Sequence, residues 1–200
     1  YGADRNLVNP DPADDRVRVA RYAASGIDYH DWTRERLRKL SALHRQLVPE
    51  APVRGIVDTA PLLEREYARR SNIGQLGWNS TLITNRFGSW VFLAVLLSGL
   101  ELDPSMSFGI GADDPPFDCE HCGNCLKSCP TGALLGPNTL DARRCLSYLT
   151  IEHRGMPDPS LMLMMQETIF GCDRCQEACP ANRRSNGKHK PSLFPVEEHG

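Results

Sequence analysis

Residues 119–130 read C-E-H-C-G-N-C-L-K-S-C-P, and the spacing of their cysteines decides how the rest of the chain is interpreted. The pattern C-x2-C-x2-C-x3-C followed by proline is typical of bacterial ferredoxins, in which thiolates hold four-iron clusters. A shorter run, C-D-R-C-Q-E-A-C-P, occupies residues 172–180, and Cys145 lies between the two runs. Since the chain has 8 cysteines, the two runs and Cys145 account for every thiol.

The eight thiols divide into two sets of four. In two-cluster ferredoxins the last cysteine of each run ligates the other cluster. This exchange predicts a first cluster on Cys119, Cys122, Cys125 and Cys179. It predicts a second cluster on Cys129, Cys145, Cys172 and Cys175. A pair of four-cysteine zinc sites is the alternative that also fits the count.

Composition indicates a chain of near-neutral charge. With 23 basic and 25 acidic residues, an extended polybasic surface is not expected, although a local patch such as R-R-S-N-G-K-H-K at 183–190 is possible. The sequence shows no signal peptide and no apolar run long enough for a bilayer, so we expect a reducing, cytoplasmic location without a membrane partner.

The pattern of apolar residues predicts mixed helices and strands, an α+β or α/β fold. We expect an extended segment and a turn at Gly26, a helix capped by Asp31, a buried strand at 53–57, and a helix from Pro61 capped by Asp58 or Thr59. Further predictions are strands within 81–84 and 89–97, a helix capped by Asp141 that carries Cys145, and a helix at 159–169. An acidic, proline-rich connector indicates a division into residues 1–112, 113–184 and a polar tail at 185–200.

Several motifs in order are similar to those of the epoxyqueuosine reductase family. They are V-D-T-A-P-L-L-E-R (57–65), G-Q-L-G-W-N-S (74–80), G-S-W-V-F-L (88–93), D-A-R-R-C-L-S-Y-L-T-I-E (141–152) and F-G-C-D-R-C-Q-E-A-C-P-A-N-R (170–183). The resemblance covers about residues 17–184. It implies that the chain is a fragment without the family's N-terminal part and C-terminal extension.

The resemblance implies a nitroreductase-like cobalamin-binding domain followed by a ferredoxin-like domain with two [4Fe-4S] clusters. It implies reduction of the epoxide of epoxyqueuosine to queuosine at the tRNA wobble position. We also expect an external low-potential electron donor and a monomeric protein. Asp58 would donate a proton, which requires burial against the corrin to raise its pKa. The expected cobalamin contacts are Arg21, Tyr29, His30, Asp58, Arg65, Asn79, Ser147, Gln176 and Glu177.

Three positions depart from the family pattern, namely Trp78, Ala94 and Ala181. They leave the exact substrate open. The alternatives are a related dehalogenase-like reductase acting on a small molecule, and a two-cluster electron carrier. The basic patch at 183–190 is the expected tRNA contact, whose removal should weaken binding and flatten its salt dependence.

Overall fold

The computed structural model describes residues 17–103, except 25 and 59, and residues 118–183. The expected boundary near residue 112, the helix cap at Thr59 and all but the first residue of the basic patch lie outside these described residues. Among the described residues, no helix combines the length and apolar character needed to cross a membrane.

The first half begins with a short strand and two helices. Strand β1 is Arg18–Val19, helix α1 is Arg21–Ala24 and helix α2 is Tyr29–Leu47. Asp28 caps α2, because its side chain accepts a hydrogen bond of 2.8 Å from the backbone N–H of His30. Buried residues recur every four positions along α2, at Thr33, Leu37 and Ser41. This spacing gives α2 one inner face.

Helix α2 packs closely on a two-stranded antiparallel sheet. Strand β2 is Val53–Ile56 and strand β5 is Val95–Ser98, with Val53 opposite Ser98 and Ile56 opposite Val95. A Cβ added to Gly55 would lie 2.8 Å from the Cβ of Leu37, so glycine allows the helix to approach the strand.

Between these two strands the chain forms a short helix and a hairpin. Helix α3 is Glu64–Arg70, strand β3 is Gln75–Leu76 and strand β4 is Leu82–Ile83. Strands β3 and β4 pair antiparallel, and an isolated bridge joins Thr84 to Gly88. Leu82 and Ile83 are both buried, so this hairpin forms part of the core.

The second half consists of short elements around the cysteines. Their bounds are α4 Asn124–Ser128, β6 Leu134–Gly136, β7 Thr139–Leu140, a 3-10 helix Ala142–Arg144, α5 Leu146–Ile151, α6 Pro159–Met165, β8 Thr168–Phe170 and α7 Arg174–Glu177. Strands β6 and β7 form an antiparallel hairpin. Strand β8 pairs parallel with β1, so the beginning of the described chain is joined to the second cysteine run.

The expected mixture of helices and strands is confirmed, although the strands of the described residues pair only two by two. The strands predicted at 53–57 and 81–84 are present, and Asp141 caps the 3-10 helix as expected. Cys145, predicted inside a helix, instead lies at the N-cap of α5.

Four local predictions are wrong. Asp28 rather than Asp31 caps α2, and the helix expected from Pro61 begins at Glu64 without a side-chain cap. The strand expected at 89–97 begins only at Val95. The helix expected to continue to residue 169 ends at Met165, because residues 168–170 pair with β1 as a strand.

Candidate metal centre and active site

The predicted first set of cysteines lines one cavity. Cys119, Cys122, Cys125 and Cys179 all face this cavity, which is closed on its other sides by Trp78, Asn79, Ile83, Gly123 and Pro180. Gly123 has a φ of 59° and immediately precedes α4, so the loop reverses direction between the second and third cysteine. The structure therefore brings Cys179 from the distant run to the three cysteines of the first run.

The predicted second set surrounds Cys175. Burial raises the pKa of the Cys175 thiol, and the neighbouring thiols of Cys172, Cys145, Cys125 and Cys129 raise it further. Three of these four neighbours are the predicted partners of Cys175, and Cys125 belongs to the first set. The two sets consequently lie next to each other.

Cys129 lies in a polar environment that stabilises a thiolate. Burial raises its pKa, but hydrogen bonds from the Thr131 hydroxyl and the Ala133 backbone N–H outweigh burial, so the pKa of Cys129 is lowered overall. The Ala133 nitrogen lies 3.2 Å from the sulfur. A thiolate is the form of cysteine that binds metal.

All eight cysteines are free thiols in the structure. In the part of the chain that the structure describes, no group of three or more His, Cys, Asp or Glu side chains is arranged to hold a metal ion. A single metal ion needs its ligands close around one point, whereas a four-iron cluster is a larger body whose ligands surround it on several sides.

Asp58 lies at the centre of a second polar cluster. The Tyr29 hydroxyl donates to Asp58 Oδ2 at 2.8 Å, and His30 Nε2 lies 3.1 Å from the same oxygen. His30 Nδ1 lies 2.8 Å from Asp28 Oδ1, so the imidazole bridges two carboxylates. Because Tyr29 and His30 begin α2, the cap at Asp28 fixes the position of both side chains that contact Asp58.

The Asp58 side chain is 63% exposed, and the backbone φ of Asp58 is 47°. Burial raises its pKa, but the hydrogen bonds from Tyr29 and His30 outweigh burial and the pKa of Asp58 is lowered. In this arrangement the expected rise in the pKa of Asp58 is absent. The pKa of Tyr29 is raised, first by burial and then by its hydrogen bond to Asp58.

An aromatic stack supports the Asp58 cluster. The Tyr29 ring is parallel to Phe92, with 4.3 Å between the ring centroids, and it meets Tyr22 edge-on at 5.9 Å. Tyr22 also contacts Phe170 of β8 at 6.2 Å. The stack thus connects the Asp58 cluster to the strand that precedes the second cysteine run.

A buried hydrogen-bond network joins the two halves of the chain, and the sequence motifs did not single out its members as a unit. Asn182 Oδ1 accepts from the Ser89 backbone N–H at 2.7 Å, and Asn182 Nδ2 donates to Ser89 Oγ at 2.9 Å and to the Gln176 carbonyl at 2.7 Å. Ser89 Oγ also donates to Gln176 Oε1 at 2.9 Å. The motifs at 88–93 and 170–183 therefore meet in space.

The other predicted cobalamin contacts are scattered. The Arg21 guanidinium lies 4.4 Å from the Trp90 ring centroid, and Arg65 donates to the Ser80 carbonyl. Glu177 pairs with Arg18 at 2.7 Å. Ser147 is half-buried on α5 and is not among the described residues that contact Asp58. Tyr29 and His30 are the predicted contacts that the structure joins to Asp58.

The three departures from the family pattern have different surroundings. Trp78 lies against the cavity of the first cysteine set rather than beside Asp58. Ala181 is half-buried between Cys179 and Asn182, and Ala94 is exposed just before β5. Trp78 therefore has its clearest contact with the predicted iron-sulfur centre.

Two family models match the chain. Residues 118–182 match a 4Fe-4S double cluster binding domain, which contains the cysteine pattern and both sets. This match supports iron-sulfur clusters in the cysteine-rich half. Residues 1–59 match the model described as Epoxyqueuosine reductase QueG, DUF1730.

Curated relatives carry the same family name. The chain is 40% identical to epoxyqueuosine reductase of Pseudomonas aeruginosa over 172 residues, which are 84% of this chain and 45% of that protein. It is 42% identical to the Escherichia coli protein over 168 residues, with 84% and 42% coverage. The chain thus spans about half the length of the curated relatives it matches, and the resemblance to epoxyqueuosine reductases is confirmed over that half.

Solved structures agree with the sequence relatives. The structure of epoxyqueuosine reductase from Streptococcus thermophilus matches with a TM-score of 0.72 and 33% identity, over 88% of this chain and 45% of that chain. A crystal structure of epoxyqueuosine reductase with a tRNA-Tyr epoxyqueuosine-modified stem loop matches with a TM-score of 0.72 and 32% identity, over 94% and 48%. The chain is therefore related in sequence and in fold to the epoxyqueuosine reductases.

Proposed function

We propose that this chain forms the electron-transfer and catalytic part of an epoxyqueuosine reductase, which reduces the epoxide of epoxyqueuosine in tRNA to queuosine. The observation that carries the proposal is the presence, in one structure, of two adjacent cysteine sets and a carboxylate held by Tyr29 and His30. Relatives that are about 40% identical carry the name of this activity. One matched structure is described as containing a modified tRNA stem loop, which supports tRNA as the substrate.

Two [4Fe-4S] clusters fit the cysteine-rich half. Cys119, Cys122, Cys125 and Cys179 would hold one cluster at their shared cavity, and the set around Cys175 would hold the other. Neighbouring clusters can pass electrons one at a time from an external low-potential donor. The proposed division into residues 1–112, 113–184 and a tail gives each half one task.

Cobalamin is the cofactor that we propose for the first half, on a nitroreductase-like layer. The buried Trp90 Nε1 and Ser80 Oγ have no hydrogen-bond partner within the described residues, so polar groups of a large cofactor could satisfy them. Arg21 lies over Trp90, and Arg65 contacts Ser80. When bound, cobalamin would supply a low-potential cobalt centre that the clusters can reduce.

The chain's own acid in this proposal is Asp58. Opening the epoxide and removing its oxygen as water consumes two electrons and two protons, and a C=C bond forms between the two carbons that carried the oxygen. Asp58 would deliver a proton to the departing oxygen. Tyr29 and His30 hold the carboxylate ready and connect it through His30 to Asp28.

Asp58 must change its surroundings to act as an acid. Its hydrogen bonds lower its pKa in the present position, whereas covering the exposed carboxyl with substrate and cofactor would raise the pKa by desolvation. A solved epoxyqueuosine reductase from Bacillus subtilis is described as having its catalytic aspartate loop swung out of the active site. We propose that Asp58, with its positive φ and exposed side chain, lies on the corresponding loop.

The test is a reduction assay with the anaerobically loaded chain. It is supplied with cobalamin, a chemical reductant and tRNA that contains epoxyqueuosine, and digested tRNA is analysed by mass spectrometry. We expect conversion to queuosine, and its loss in Asp58→Asn with both cofactors still bound. Asp31→Asn is the matched control, because Asp31 is an exposed carboxylate on α2 that pairs with Arg34. Full conversion by Asp58→Asn would refute the assignment of the acid.

A further inference from the structure

A cleft of about 400 Å³ lies between α2 and β2, outside both cysteine sets. Four arginines line it: Arg34, Arg38 and Arg45 from α2, and Arg54 from β2. The remaining described lining residues are Leu37, Ser41, Val53, Gly55, Ile56, Val57 and Ala60, so no described carboxylate faces the cleft. The cleft is therefore a concentrated positive surface on a chain whose net charge is −2.

Three of these arginines, Arg38, Arg45 and Arg54, differ from Arg34 in the partners of their side chains. Arg34 pairs with Asp31 at 3.1 Å. Across the described ranges, by contrast, neither an ion pair nor a hydrogen bond engages the side chains of Arg38, Arg45 and Arg54, which are all exposed. A planar guanidinium without a carboxylate partner is well suited to bind phosphate through two parallel hydrogen bonds.

The cleft also adjoins the proposed catalytic residue. Val57 and Ala60, which line one part of the cleft, flank Asp58 in the chain. Helix α2 begins with the two residues that contact Asp58 and continues along the cleft. We propose that this arginine cleft binds the phosphate backbone of the tRNA and so holds the substrate strand beside Asp58. This inference rests on the proposed function.

The test compares RNA binding at different salt concentrations. The chain, loaded with its clusters, is titrated into a fluorescently labelled, epoxyqueuosine-modified anticodon stem loop, and binding is followed by fluorescence anisotropy. The triple variant Arg38→Gln/Arg45→Gln/Arg54→Gln removes three charges and keeps a polar side chain at each position. Three phosphate contacts correspond to about 20- to 40-fold in affinity between about 50 and 200 mM salt. Between these two salt concentrations, we therefore expect the affinity of the unmodified chain to fall about 20- to 40-fold more than the affinity of the triple variant.

Lys39→Gln is the matched control, because Lys39 is an exposed cation on the same helix but pairs with Glu35 at 2.8 Å outside the cleft. Its salt dependence should equal that of the unmodified chain. If the triple variant retains the affinity and the salt dependence of the unmodified chain, the proposal that the cleft binds RNA is overturned. The proposed function still stands in that case if the unmodified chain reduces epoxyqueuosine. If binding falls as expected but no reduction occurs, the cleft stands as an RNA site and the proposed function fails.

A separate observation concerns Asn79, which is 6% exposed and lines the cavity of the first cysteine set. Its Oδ1 accepts hydrogen bonds from the Thr81 hydroxyl at 2.8 Å and the Thr81 backbone N–H at 3.3 Å. A backbone N–H can only donate, so the atom that faces Thr81 is the amide oxygen. Asn79 Nδ2 is left buried, without a hydrogen-bond partner in the described part of the chain.

We infer that Asn79 Nδ2 donates a hydrogen bond to a sulfur atom of the cluster held by Cys119, Cys122, Cys125 and Cys179. A buried amide donor without a partner is costly, and a sulfur in the same cavity is the acceptor that would satisfy it. Hydrogen bonds to cluster sulfurs favour the reduced, more negative state and thereby raise the reduction potential. Asn79 would set the potential of the first cluster relative to the second.

The test is a redox titration of the anaerobic, cluster-loaded chain followed by electron paramagnetic resonance. Asn79→Leu, which removes the donor and keeps the branching at Cγ, should lower the reduction potential of one cluster and leave that of the other unchanged. Asn79→His, which restores an N–H donor, should recover part of the difference. Ile83→Val is the packing control, because Ile83 lines the same cavity without any donor.

If the first cluster has the same reduction potential in Asn79→Leu as in the unmodified chain, the inference is overturned. It is also overturned if Ile83→Val shifts this potential as much as Asn79→Leu does. If Asn79→Leu does not retain its cluster, the variant Thr81→Val tests the same inference while the Asn79 amide is kept. It removes the hydroxyl that orients Asn79, so it should lower the same potential by a smaller amount. An unchanged potential in Thr81→Val would then count against the inference.

Discussion

Asn182 fastens the cysteine-rich half to the loop at Ser89, and its replacement should weaken the whole fold. The amide makes two hydrogen bonds, of 2.7 and 2.9 Å, to Ser89 across this contact and a third of 2.7 Å to the Gln176 carbonyl within its own half, and Asn182 is 2% exposed. Asn182→Ala removes these bonds and leaves the Ser89 N–H buried without its acceptor, whereas the Gln176 carbonyl keeps its 3.1 Å bond from the Cys179 N–H. Water has little access to a site this well covered, so the lost bonds are not readily replaced.

The expected cost follows from the number of groups involved. A net hydrogen bond contributes about 1 kcal/mol, and a buried group left unsatisfied costs about 1–3 kcal/mol. We therefore expect Asn182→Ala to lower the free energy of unfolding by about 3 kcal/mol. For a chain of this size, that corresponds to a melting temperature lower by about 6–12 °C.

The assay is urea unfolding of the anaerobic, cluster-loaded chain, followed by circular dichroism and by cluster absorbance. Gln46→Ala is the matched control, because Gln46 is an exposed amide on α2, where substitution should change stability by less than about 0.5 kcal/mol. An Asn182→Ala variant as stable as Gln46→Ala would refute the reasoning that this network joins the two halves.

Three further predictions concern single positions. Gly88→Ala should destabilise the chain by about 1–3 kcal/mol in the same urea assay, because a Cβ would lie 2.0 Å from Asn182 Oδ1 on a backbone with a φ of 59°. Tyr29→Phe should raise the pKa of Asp58 towards its ordinary value, measured by carbon NMR of the labelled carboxyl; an unchanged pKa would show that the Tyr29 hydroxyl does not control it. Because the folded pKa of Asp58 is lowered, its contribution to stability is present at neutral pH and is lost as pH falls through the folded pKa, and Tyr29→Phe should shrink this dependence. Cys145→Ser should leave roughly half of the iron bound, since it removes a ligand of one proposed cluster; unchanged iron content would remove Cys145 from the ligand set.

The cysteine spacing gives the most specific prediction that this sequence offers. A cluster needs thiolates at short, fixed separations, so C-x2-C-x2-C carries its meaning within a few residues. The exchange of Cys179 and Cys129 between runs follows from the same pattern, and the shared cavity of the first set agrees with it. The number of cysteines then indicates Cys145 as the remaining ligand.

Features that depend on distant pairing could not be predicted in this way. Residues 168–170 continue an apolar helical pattern, yet they form a strand because β1, about 150 positions earlier, offers backbone hydrogen bonds. The residue that caps α2 is also difficult to predict, since Asp28 and Asp31 are the same residue type three positions apart. Asp28 wins because its extended backbone lets its side chain accept from the His30 N–H.

The cap at Asp28 also explains why the structural and chemical roles of this region are difficult to separate. Starting α2 at Tyr29 directs the tyrosine hydroxyl and the imidazole of His30 to Asp58, while Phe92 and Tyr22 stack on the tyrosine ring. Tyr22 contacts β8, which leads directly into the second cysteine run. In the proposed function, electron delivery and proton delivery to one substrate would require a fixed separation between the clusters and Asp58. The packed rings that run from Phe170 of β8 through Tyr22 to Tyr29 would supply that rigidity, whereas Asp58, exposed on a backbone with positive φ, would keep the freedom to approach the substrate.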